Sequence, residues 1–416
     1  MTATYINTVK ANAGIVAKMF AGALVDNLQF CKSIGQADPS DYKGKNGFGA
    51  GDTVYISKPA RPVVGSSFDI TSTIGSIAEE KVALPLDIIA TSSFDLDSSE
   101  LASSVDLNSI YDRFVKPYAA GMAQNIESTY LTRAMYNTAN TVGTPGSTTF
   151  DTDLVLQAGQ KLQEFCAPMD GDRFALLSPA AQRSALVARK GFVQASEQLA
   201  KQYKDGIMGR ADGFTYLSNN LLPRLTLGAD VTGIAVEASV VAISNGMSTL
   251  GVDGVATGAT IKAGTVFTIS GVNAVHPQTK VDLGYLQQFV VTADAAENGS
   301  NQATLSISPS IYYTTTDSRQ NVSAAPVDET GALVFVGSAS TTYTNNIAYH
   351  KDAFRMVSVP LVLPERAEYA AQYTYKGITV AIVRDWDQLK RRMITRVDFL
   401  GGFAPVRPEW ACKMIG

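Results

Sequence analysis

Residues 266–294 read VFTISGVNAVHPQTKVDLGYLQQFVVTAD. Short runs of Val, Ile, Phe, Leu and Tyr are cut by Gly, Asn and Pro, which is the pattern of strands between turns. The same texture extends over residues 225–344, rich in Val, Thr, Ser, Gly and Asn, and predicts an all-β region. Its charge density marks it off. Residues 225–344 carry 3 Lys/Arg and 9 Asp/Glu in 120 positions, or 10%, whereas the other 60 charges in 296 positions make 20%. A compositional change at both ends predicts a β domain inserted into a different host. A unit of that size buries about 65% of its unfolded surface, enough to need neither disulfide nor metal.

Outward toward the N-terminus the host is α+β. VLQAGQKLQEF reads as a helix, RFALL as a strand, Ser178-Pro179 as the cap and first residue of a further helix, and GFTYLSNNL as a strand and turn. A last helix is expected over Phe192–Lys204. Before this unit, Asp97 and Glu100 have capping-box spacing, and Ile110 and Phe114, then Met122, Ile126 and Tyr130, stand four apart, predicting one long helix to Asn137 with a kink at Pro117. Some forty helical residues would span ~60 Å. DTVYISK (52–58) and KVALPLDIIAT (81–91) read as paired strands of a hairpin whose Pro/Gly/Ser-rich tip reaches up to ~36 Å from its base. Residues 35–51 read as an irregular arm, preceded by an amphipathic helix with Val16, Phe20, Leu24 and Leu28 on one face. Toward the C-terminus FRMVSVPLVL, YTYKGITVAIV and MITRVDFLG read as strands of the resumed host. Two long extensions suit a tile that overlaps its neighbours better than a monomeric enzyme.

Composition narrows the function. The 416 residues are 45% hydrophobic with a net charge of −4, ample for a core and without the basic excess of a sequence-reading DNA binder. Cys31, Cys166 and Cys412 are too few and scattered for a disulfide framework or zinc site and read as buried thiols; His276 and His350 read as structural. Lys18 interrupts the N-terminal apolar run, so that segment reads as a docking helix and not a signal peptide, and no stretch is apolar over the roughly 18 residues a membrane span needs.

Each chemical motif has a plainer reading. Gly47-Phe48-Gly49-Ala50-Gly51 precedes a strand where a phosphate loop needs a helix, and Ser40-Asp41-Tyr42-Lys43 has no rigid helix to hold a nucleophile and its base. Asp95, Asp97 and Glu100 suit the positive end of a helix better than a cation. The sequons at Asn298 and Asn321 read as turns. Arg384, Lys390, Arg391, Arg392 and Arg396 near Trp386 read as a solvated face or a subunit contact, because Asp385, Asp387 and Asp398 dilute the field. The residues supply no catalytic, cofactor-binding or metal-binding set, so the expectation is none of the three and no cofactor.

Longer stretches carry a resemblance. RFALLSPAAQRSAL, GFTYLSNNLLP, VFTISGVNAVHPQTKVDLGYLQQFVVTAD, NIAYHKDAFRMVSVPL and RVDFLGGFAPVRPEWACKM, in this order, resemble the P-22-like coat family of tailed bacteriophages. The resemblance implies the α+β Hong Kong-97-type capsid fold: N-terminal arm 1–51, extended loop 52–96, spine helix 97–139, peripheral domain and start of the axial domain 140–224, inserted β domain 225–344, and axial domain with C-terminal strands 345–416. It implies a structural major capsid protein, not an enzyme, partnered by its own copies in hexamers and pentamers, a scaffolding protein and a portal protein. Double-stranded DNA is a partner by enclosure only, a decoration protein is compatible, and no membrane is involved. The expected place is the virion capsid, assembled in the host bacterial cytoplasm. No lysine–asparagine cross-linking pair is placed. The rival reading is an extracellular or surface β-domain structural protein.

Overall fold

The computed structural model describes residues 18–37, 48–58, 80–97, 115–145, 150–188, 209–228, 232–315, 317–364, 367–388 and 392–416. The expected hairpin tip, the Ser40–Lys43 motif, the helix over Phe192–Lys204, Val16, Glu100, Ile110, Phe114, Lys390 and Arg391 lie outside them.

The chain enters as helix α1 (18–27) and a single turn, α2 (Phe30–Ser33), then the short strand β1 (Gly35–Gln36). Phe20, Leu24 and Leu28 are all buried, as the four-residue spacing requires of a docked helix face. Strands β2 (Thr53–Lys58) and β3 (Glu80–Pro85) pair as expected. The run expected as one strand to Thr91 breaks after Pro85 and resumes as β4 (Ile88–Asp97), with Ile88 and Ala90 buried and Ile89 exposed. This corrects the capping box: Asp97 is the last residue of a ten-residue strand, facing Arg392 in register, because a continuous ladder satisfies more backbone groups than a helix cap does. The long helix is described as α3 (Lys116–Asn137), ~33 Å of rise. Pro117 is the second residue of this span, and Val115 just before it is already in a π-helical turn. Met122, Ile126 and Tyr130 are buried.

The chain continues as β5 (Thr141–Val142), α4 (Thr152–Glu164), β6 (Arg173–Leu177), α5 (Pro179–Ala188), β7 (Arg210–Ala211), β8 (Phe214–Ser218) and β9 (Arg224–Thr226). Ser178 caps α5, its Oγ accepting from the Ala181 N–H at 3.2 Å. From there the described elements are strands: β10 (Ala235–Val236), β11 (Met247–Asp253), β12 (Thr260–Ile261), β13 (Val266–Val275), β14 (Asp282–Val291), β15 (Ala295–Ala296), β16 (Ala303–Ile311) and β17 (Leu333–Phe335). β18 (Thr342–His350), β19 (Phe354–Ser358), β20 (Tyr369–Tyr375), β21 (Ile378–Asp387), β22 (Arg392–Pro405) and β23 (Ala411–Ile415) complete the chain.

Two compact units result. The first comprises residues up to Ser57, Lys81–Tyr130 and Phe354–Ala404. Its sheet runs β1-β19-β22-β21-β20, with β4 also on β22. Phe30, Phe354, Phe403 and Tyr130 form a chain of rings with centroids 6.2, 5.5 and 5.9 Å apart. Gly402 permits close packing here, since an added Cβ would strike the Leu84 side chain and the Pro85 carbonyl.

The second unit comprises Lys58–Glu80, Leu131–Ala353 and Pro405–Gly416. One sheet runs β5-β23-β18-β6-β8-β7, and α4 packs Leu154, Val155, Ala158 and Leu162 into a cluster with Phe214, Cys412 and Met414. A second sheet, β10-β11-β16-β14-β13-β17, with the small β12-β15 pair, encloses Leu250, Val252, Phe267, Ile269, Phe289 and Leu305. β9 pairs antiparallel with the start of β18, Thr226 opposite Thr342 and Arg224 opposite Thr344, so the two ends of the β-rich stretch lie side by side.

Candidate functional site

The motifs weighed in the sequence do not converge. Phe48 bridges Leu361 in parallel and the Gly49 N–H donates to Asp52 at 3.2 Å, so the glycine-rich stretch leads into β2 without a helix. Asn298 Oδ1 accepts from its own turn at Ser300, and Asn321 Oδ1 accepts from Tyr312. The basic cluster is divided by the pleat. In the β21–β22 register Arg384 faces Thr395, whereas Arg396 faces Val383, which puts the two arginines on opposite faces. Arg396 is bound to Asp398 at 2.8 Å, and Arg392 stands between Asp387 and Asp97 in the ladder, so charges of both signs interleave.

Two thiols are buried as expected, Cys31 and Cys412, and burial pushes both thiol pKa values up, Cys412 to about 12. Cys166 is a correction: it is exposed, because it follows the end of α4 in a left-handed conformation, φ 59°, with its Sγ 3.4 Å from His276 Nε2. His350 is buried, its Nε2 3.1 Å from both Asp170 oxygens and its ring edge-on to Trp410 at 5.4 Å. The Asp170 carboxyl is held below its usual range by the Asp172 N–H and by His350. This pair ties the loop carrying Asp170 to β18. No three His, Cys, Asp or Glu side chains gather as metal ligands among the described residues, and no described helix is long and apolar enough to cross a membrane.

The geometry that does stand out is two polar junctions that sequence reasoning missed. In the first unit Glu127, buried on α3 with 1% of its surface exposed, accepts from the Phe30 N–H at 2.6 Å and the Gln29 N–H at 3.0 Å. It caps α2 from a helix 97 residues away, and burial raises its carboxyl pKa despite these donors. The signal available was a lone carboxylate among the apolar positions Ala123, Tyr130 and Leu131.

In the second unit a seam joins the β13–β14 face to β5, α4 and β23. Thr141 and Gln288 exchange hydrogen bonds of 2.8 and 3.1 Å, Tyr285 donates to Glu164 at 2.8 Å, and Lys161 Nζ donates to Thr141 O and to Gln288 Oε1. Lys413 Nζ, fully buried, donates to the Gly264 carbonyl at 3.0 Å. Ala139, Val266 and Val290 form a small apolar patch with Val336. A single Lys in the otherwise apolar strand ACKMI was the only hint. Junctions of this kind position segments; neither holds a reactive group open to a substrate.

The family model described as "P22 coat protein - gene protein 5" matches residues 13–416. The chain is 20% identical to the "Major capsid protein" of Acyrthosiphon pisum secondary endosymbiont phage 1, over 99% of each chain. Among solved structures it is similar to one from Mycobacterium phage Che8 (11% identity, TM-score 0.45), covering 93% of this chain and 90% of that one. It is also similar to the CUS-3 coat protein I-domain (30% identity, TM-score 0.17), covering 26% of this chain and 92% of that one. Apart from the family match, the α+β, strand-rich architecture is the one expected from the sequence. The chain belongs to the P22 coat protein family and is a structural phage capsid protein, not an enzyme.

Proposed function

We propose that the chain is the repeating tile of an icosahedral shell, assembling in the host cytoplasm into hexamers and pentamers around double-stranded DNA, with scaffolding and portal proteins as partners. The family match along residues 13–416 carries the reading. Shell tiles need many contacts, each weak enough to let a misplaced copy leave before closure. The interleaved charges of the β4–β22–β21 face suit such contacts: they offer register without a single-sign field that would grip the enclosed DNA. The divisions that the resemblance implies, arm 1–51, loop 52–96, spine 97–139, peripheral 140–224, insertion 225–344 and axial 345–416, are the units proposed to carry distinct contacts. The side-by-side ends at β9 and β18 support the insertion in particular.

The test is co-expression with the scaffolding protein. Closed particles of uniform diameter and megadalton mass are expected in electron micrographs, and material that stays monomeric or dimeric overturns the proposal. Removing the tip between Pro59 and Ser76 should leave the melting of the monomer nearly unchanged and block or distort the shells; normal shells would remove the loop from the assembly role.

A further inference from the structure

The seam of the second unit contains an amine that the capsid reading does not explain. Lys413 lies in β23, between β18 and β5, in a strand whose five residues are all buried. Its Nζ reaches across 149 positions of sequence to the carbonyl of Gly264, two residues before β13. Gly264 is fixed in place: its φ is +83°, its N–H donates to Val291 O at 2.7 Å, and an added Cβ would stand 2.8 Å from Leu225 and 3.1 Å from Tyr136. The acceptor therefore cannot follow the lysine outward without opening the turn.

We infer that Lys413 is a proton-controlled latch between β23 and the β13–β14 strands, closing the seam as a neutral amine and loosening it when protonated. Titratable and charged groups on the surrounding elements include Cys412 on its own strand, Asp153, Lys161 and Glu164 on α4, Tyr136 on α3, Asp282 and Tyr285 on β14, and Tyr343, Tyr349 and His350 on β18. Glu164 is engaged by Tyr285 and His350 by Asp170. Lys413 has no carboxylate partner among the described residues, so a charge there is hidden from water without compensation. Burial accordingly draws its pKa from 10.5 down to about 7.

The sign follows from proton linkage. For Lys413 a closed seam binds fewer protons than an open one between the two pKa values, so closure strengthens as pH rises from about 7 and is flat below it; above 9 the Cys412 thiol, which burial pushes up to about 12, opposes the rise. One proton released on closure lowers the opening equilibrium about tenfold per pH unit in that window.

Hydrogen exchange of the intact chain reads this directly. Protection factors in peptides covering 262–268 and 286–291 should rise roughly a hundredfold between pH 7 and 9 in the wild type, and much less in Lys413→Met. Lys161→Met removes the other buried amine of the seam, whose pKa burial also lowers, and should take away only part of the rise. A flat wild-type profile, or the same rise in Lys413→Met, overturns the inference. Should Lys413→Met fail to fold, selective 13C labelling of lysine in the wild type decides: a Lys413 Cε resonance titrating near 7 supports the latch, and one titrating near 10.5 refutes it.

Discussion

Replacing Glu127 with alanine should release the N-terminal segment from α3. The carboxylate accepts from the Gln29 and Phe30 N–H groups, the latter at 2.6 Å, and both donors sit at the entry to α2. Stranding a buried donor costs roughly 1–3 kcal/mol, so two give about 2–6 kcal/mol; relief of a buried charge offsets part of this, leaving about 2–4 kcal/mol. Glu127→Gln keeps one acceptor oxygen but turns an amide toward the donors, and should cost about 1–2 kcal/mol. The pH dependence separates the two. Burial raises the Glu127 pKa above 4.5, so the folded state holds the proton more tightly than the unfolded chain; wild-type stability is highest below 4.5 and declines as pH rises through the folded value. Glu127→Gln lacks this decline, and its deficit should narrow between pH 4 and 7. Urea unfolding gives the free energies, and hydrogen exchange of residues 28–36 localises the effect. Glu127→Ala within 0.5 kcal/mol of wild type, with protection of 28–36 unchanged, would refute the capping role.

Three further outcomes are expected. Gly264→Ala should lower stability by about 2–4 kcal/mol in urea melts, combining a left-handed backbone penalty with overpacking against Leu225 and Tyr136. Gly121→Ala, whose added Cβ meets no heavy atom within 4 Å, should raise stability by about 0.5–1 kcal/mol by the same measurement. A fragment spanning Leu222–Asn346 should be monomeric, give a β-type circular dichroism spectrum and unfold in one cooperative step, since β9 and β18 close its ends and its sheet has its own apolar cluster; a helical spectrum or non-cooperative melt would refute it.

Local physics made much of this protein legible in its sequence. Alternation and turn residues specify β2, β6 and β8, the Ser178-Pro179 pair starts α5, and the change in charge density at 225 and 344 marks the strand-rich stretch, because each depends on residues close along the chain. The failures were long-range competitions. Asp97 and Glu100 have the spacing of a helix cap, yet Asp97 went to β4 because β22, some 300 residues later, offered a ladder that no local pattern announces. Cys166 is exposed although its residue type favours burial, because the turn after α4 points it outward. Glu127 and Lys413 look in sequence like solvated charges. Only the tertiary structure decides that they are buried donors and acceptors, because what holds them is the backbone of segments 97 and 149 positions away.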